Sequence, residues 1–203
     1  MMKLLRYLAL IQLATTLSLG QAAHQRESAS PPGEAEALVR RVYKQALALH
    51  PIGIPTGPEM NLFSPYLSKA LLRKIDLFLA CYADWSRQNP DPKLKPPFGV
   101  LESGIFSGDD DHSSPQAFDI AGVRLEKDGS FHVTVRLTYQ EPPSSPWIWR
   151  VAAIVVREKG RLVVNDVVYL KDSPREVESR LTSALAYGCS TTHWIWYGAR
   201  KKG

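Results

Sequence analysis

Asp166 is the residue of this chain whose setting most invites chemistry. It lies in Arg161-Leu-Val-Val-Asn-Asp-Val-Val-Tyr-Leu170, where strand alternation predicts a shared face with Leu162, Val164, Val168 and Leu170. An aspartate on an apolar strand face is unfavourable unless something pairs with it. One reading puts Asp166 in the mouth of a pocket as a base or as an acceptor for a ligand, with Tyr169, Tyr139, Trp149 and Arg136 as its companions. The other, the favoured one, makes it a structural acceptor that pairs with Arg136 or Arg150 on neighbouring strands or closes a gap in the backbone.

Other groupings are weaker. Ser107-Gly-Asp-Asp-Asp-His112 gathers three carboxylates and an imidazole, but consecutive aspartates lack the alternate spacing and closing Glu of a calcium loop. It reads as a solvated acidic loop. His132 and His193 stand without a Cys or Ser nucleophile at an informative distance and read as surface residues. The sequence has neither a nucleophile elbow nor a Gly-rich phosphate loop, so no cofactor or metal is expected.

The N-terminus sets the compartment. Lys3 and Arg6, an apolar run from Tyr7 to Leu19, then Gly20, Ala22 and Ala23 follow the order of a cleavable signal peptide over residues 1–23. The apolar run is shorter than the roughly 20 residues that span a bilayer; an uncleaved anchor is the alternative. No cysteine follows it to take a lipid. The reading predicts a periplasmic or extracellular protein with no integral membrane segment after cleavage. Loss of Lys3 and Arg6 takes the formal charge from +5 to +3. No basic stripe interleaved with aromatics remains, so nucleic acid is not an expected partner. Cys81 and Cys189 are the only cysteines, and an isolated pair in an oxidising compartment predicts one disulfide; two buried thiols are the alternative.

The elements that must position these residues begin after a Ser/Pro-rich leader, residues 24–33. A single domain is predicted over 34–197, followed by a basic tail at 198–203. Ala35, Leu38, Val39, Val42, Ala46 and Leu49 recur at helical spacing, which predicts a helix from Glu34 to Leu49. The proline- and glycine-rich stretch through Asn61 predicts a loop. Ser64-Pro65 reads as the cap and first position of a second helix running to about Arg87. Two hairpins follow, Phe118–Glu126 with Phe131–Tyr139 through Asp128-Gly129, and Trp147–Arg157 with Arg161–Leu170 through Lys159-Gly160. A short strand, Gly99–Phe106, is expected to complete the sheet. Ser173-Pro-Arg-Glu176 is a capping box that predicts a C-terminal helix ending at Gly188. Trp194, Trp196 and Tyr197 close the chain, either folded back over the sheet or exposed to a partner.

This α+β order of helices, a proline-rich crossover and a curved antiparallel sheet resembles the nuclear transport factor two-like fold, shared by ketosteroid isomerase and many ligand-binding domains. Gly160–Leu170 resembles the closing strand of that superfamily, with its Asp-plus-aromatic signature. The chain also resembles a bacterial family of exported proteins of unknown function with this fold, through Phe-Ser-Pro-Tyr-Leu (63–67) and Gly-Cys (188–189). The resemblance implies a cone of helices and curved sheet and names no reaction. Two functions fit it. The first is a non-enzymatic binding module for a protein partner, as in an immunity-type role, or for a small ligand. The second is a small pocket enzyme of isomerase, dehydratase or hydrolase type working through Asp166, which needs a second polar group facing the same cavity. An envelope structural protein is a third reading.

Overall fold

Pro31 and Pro32 open the first helix, α1 (Pro31–Leu49), where backbone N–H groups have no helical partner to lose. Helix therefore begins inside the predicted leader. The structure is a computed structural model, described over residues 30–91, 93–94, 104–108, 115–170 and 179–195. The signal-like residues 1–23, the capping box at 173–176, and Trp196, Tyr197 and the basic tail lie outside the described residues. Ala35, Leu38, Val39, Val42 and Ala46 form the buried face of α1 as predicted, and Tyr43 joins them.

The predicted loop after α1 ends early, because Gly57-Pro58 starts a short helix, α2 (Gly57–Phe63). The second long helix starts later than Ser64-Pro65 suggests. Those residues form a 3₁₀ turn (Ser64–Tyr66), Leu67 is extended and bridges Val164, and the Ser68 N–H donates to the Val164 carbonyl at 2.8 Å. That tertiary bond moves the start of α3 (Lys69–Gln88) to a new cap, Ser68, whose hydroxyl accepts from the Leu71 N–H at 3.0 Å.

Five strands make one antiparallel sheet in chain order: β1 (Ala117–Leu125), β2 (Phe131–Tyr139), β3 (Trp147–Glu158), β4 (Arg161–Leu170) and β5 (Ser179–Arg180). Both predicted hairpins are present. Of the expected Gly99–Phe106 strand, the described end is not a strand, because Ile105–Ser107 form a turn; 99–103 lie outside the described residues. Of the predicted C-terminal helix, the described part opens as β5 and continues as a single turn, α4 (Leu181–Ala184). Tyr43, Phe63, Leu71, Ile75, Val133, Val135 and Leu137 are fully buried where the helices meet one face of the sheet.

A bulge decides where Asp166 points. Ile154 pairs with Asp166 but Val155 pairs with Val164, so Asn165 is left without a register partner. One extra residue inverts the alternation. Val164, Val167 and Tyr169 pack into the main core, whereas Asp166 shares the opposite face with Ala152, Ile154, Val168 and Leu170. The predicted company of Leu162 and Val164 is thereby corrected.

Cys81, buried on α3, is bonded to Cys189. Cys189 begins β6 (Cys189–Ser190), which pairs with β7 (His193–Trp194) in a small hairpin beside α3. No described helix is long and apolar enough to cross a membrane.

Candidate functional site

A connecting segment of the chain fills part of the core between the helices and the sheet. Gly104–Gly108 carries an apolar pair, Ile105 and Phe106, between two glycines, and both side chains are buried. Three aromatic donors from three elements reach three consecutive carbonyls there. The Tyr169 hydroxyl donates to Ile105 at 3.0 Å, the Tyr43 hydroxyl to Phe106 at 2.9 Å, and the Trp149 indole N–H to Ser107 at 3.0 Å. Burial pushes both phenols above their ordinary range, so they remain protonated donors.

Glycine is required at both ends of this segment. Gly108 has φ +63°, and a Cβ there would lie 1.9 Å from the Tyr169 ring; Gly104 has φ +104°, with the Pro51 carbonyl 2.8 Å from its would-be Cβ. A cavity of about 20 Å³ lies beside the segment, bounded by Tyr43, His50, Pro51 and Phe106. It has room for about one water molecule.

The predicted pocket residues are therefore divided. Tyr169 and Trp149 both lie on the core side, where their polar atoms hold the segment. Tyr139 packs half-buried at the margin of the core. Arg136 lies exposed at its pairing position opposite Arg150 and is ion-paired with Asp119 of β1. Asp166 is on the far face, only 6% exposed. One carboxylate oxygen accepts from the Val167 N–H at 2.9 Å and the Thr182 N–H at 3.0 Å, and the other accepts from the Thr182 hydroxyl at 2.8 Å. Its nearby cation is Arg180 at 3.8 Å, in place of the anticipated Arg136 or Arg150. This is a fastening between β4 and α4. A base needs a lone pair aimed at a substrate, and the carboxylate here is turned to the chain's own donors.

A second carboxylate does equivalent work at the other end. Asp84 on α3 accepts from the Trp194 N–H at 3.0 Å and from Gln88 at 2.9 Å, and pairs with Arg87 at 2.7 Å; His193 lies 3.7 Å away. The Trp194 N–H holds this carboxyl below the usual carboxylate range, with help from Arg87 and Gln88 against the opposing effect of burial. A depressed native value means that stabilisation is present above the unfolded value and is lost as pH falls through the native one. Acidification is expected to loosen β6–β7 from α3 while the disulfide keeps it attached. The Trp194 amide proton should titrate below the usual carboxylate range in NMR spectra, and an Asp84→Asn chain should lack that transition. The same transition in both chains would assign it elsewhere.

Sequence reading missed Tyr43, Thr182, Asp84 and the 104–108 segment. The signal for the last was present: Gly-Ile-Phe-Ser-Gly sets two large apolar residues between glycines in a polar stretch. The acidic run Asp109–His112 beside it lies outside the described residues, and no cluster of three or more metal-ligating side chains occurs among the described ones.

An open groove of about 500 Å³ lies beside α1, between that helix, the 3₁₀ turn and the β3–β4 hairpin. Glu34, Ala37, Leu38 and Arg41, at helical spacing, form one wall; Pro65 and Tyr66 form the second, and Arg157, Gly160, Arg161 and Leu162 supply the third. Comparison with protein-family models, with curated proteins and with solved structures finds no match for the chain.

Proposed function

We propose that this chain is an exported, non-enzymatic binding module of nuclear transport factor two-like architecture, and that it meets a protein partner with its surface. The occupied interior carries this reading. Where a cone-shaped enzyme would admit a substrate, Ile105 and Phe106 fill the space and Tyr43, Tyr169 and Trp149 are committed to backbone carbonyls. Asp166, the residue on which an enzyme would depend, is held by Thr182 and Val167 on the opposite face. Export is supported by the signal-like N-terminus and by the Cys81–Cys189 bond, since disulfides persist in oxidising compartments.

The test uses the chain from residue 24 onward as bait in extract from its own cell envelope. The expected result is saturable capture of one protein species, unchanged by Asp166→Asn, which retains an acceptor for the Thr182 N–H and lowers stability by about 1–2 kcal/mol through loss of the charged acceptor. Loss of capture in an Asp166→Asn chain that still folds would move the reading toward a site built on this carboxylate. Absence of any captured protein would count against the binding-module reading itself.

A further inference from the structure

The groove beside α1 is unevenly charged. Arg41, Arg157 and Arg161 line it against one carboxylate, Glu34. Arg157 is engaged, donating to the Gly160 carbonyl at 2.9 Å and lying 3.5 Å from Glu34. The guanidinium groups of Arg41 and Arg161 have no partner among the described residues. The same groove has apolar lining, with Leu38 buried and Tyr66 and Leu162 half-buried.

Two of the three walls are fixed to one another. Lys69 N–H donates to the Glu158 carboxylate at 3.0 Å, and the Ser68 hydroxyl donates to the Asn165 side-chain oxygen at 2.7 Å, beside the Ser68–Val164 backbone bond. These bonds hold the segment carrying Pro65 and Tyr66 against the hairpin that carries Arg157 and Arg161. A concavity whose walls are set before binding loses less freedom when it is filled.

We propose that this groove takes an acidic segment of a partner protein. Carboxylates of the segment pair with Arg41 and Arg161, and an apolar side chain between them lies on Tyr66 and Leu162. Arginine suits the role because its planar fork meets a carboxylate through two parallel hydrogen bonds. The open form of the groove admits a chain passing through, and Arg and Tyr are the residue types enriched where proteins meet. This inference rests on the binding-module reading and adds a location and a chemistry to it.

A short fluorescein-labelled peptide of Glu and Asp with one central Leu serves as the probe, titrated by anisotropy into the disulfide-bonded chain from residue 24 onward. Binding that weakens about tenfold or more in R41E/R161E, the combined effect expected of two ion pairs at a groove, supports the proposal. The matched control R73E/K74E, which makes the same charge change on the exposed side of α3, should bind within about twofold of wild type if the site is local. Equal weakening in both double variants, or none in either, overturns the groove as the site. Displacement of the peptide by citrate or inorganic phosphate at comparable concentrations also overturns it, in favour of a small anion. So does a peptide that does not bind wild type, whereas the binding-module reading stands or falls separately on capture from the envelope extract.

Discussion

Replacing Cys81 and Cys189 together by alanine is expected to lower the unfolding free energy by about 5 kcal/mol. The two sulfurs are separated by 108 positions in sequence, and closure of a loop of that size restricts the unfolded chain by about this amount. With a urea slope of about 2 kcal/mol per molar, the midpoint should fall by about 2.5 M. Reduced wild-type chain should show the same midpoint as the double variant, because both remove the same restriction. An unchanged midpoint would mean that the unfolded chain is held together by other means. The expected loss is a large fraction of the stability of an ordinary domain, so oxidation decides whether this one survives its compartment.

Gly108→Ala is expected to destabilise by about 2–4 kcal/mol, combining left-handed strain of about 1–2 kcal/mol with the displacement of a buried ring. The added methyl carbon would lie 1.9 Å from the Tyr169 ring. Either the segment retreats or the ring does, and in both cases the hydrogen bond between the Tyr169 hydroxyl and Ile105 is disturbed. Gly160→Ala is the control, since Gly160 has φ +81° with nothing within 4 Å of its would-be Cβ. It carries the strain without the collision. Chemical denaturation of the two variants side by side should show the greater loss at position 108, along with a changed near-ultraviolet aromatic signal. Equal losses would show that the segment does not press on Tyr169.

Local chemistry made much of this fold legible. Ala35 to Ala46 announce α1 by spacing, Asp128-Gly129 and Lys159-Gly160 announce the hairpins, and the two cysteines announce their bond. Alternation failed at Asn165, because a bulge is fixed by pairing with β3 and by the docking of Ser68, neither of which is local. The cap of α3 was misplaced for a related reason. Ser64-Pro65 is a sound start signal, overridden when Leu67 and Ser68 join β4. Tyr169 and Trp149 were placed near a pocket by their size and position, but what fills that space lies in a stretch whose neighbours gave no periodic signal. The groove went unread because Arg41 lies on α1 while Arg157 and Arg161 lie on the β3–β4 hairpin, more than a hundred residues away in sequence. Such a meeting is set by topology alone.

The bond between Cys81 and Cys189 also alters what kind of molecule this is. Residues 81 to 189 form a covalent ring that contains β1 through β5, α4 and every connection between them, and the rest of the chain leaves it as two tails. A single peptide-bond cleavage anywhere within the ring linearises it and releases no fragment. A protease attacking an exposed connection there produces a nicked chain of undiminished mass, whose two halves remain joined through α3 and β6 until a reductant separates them.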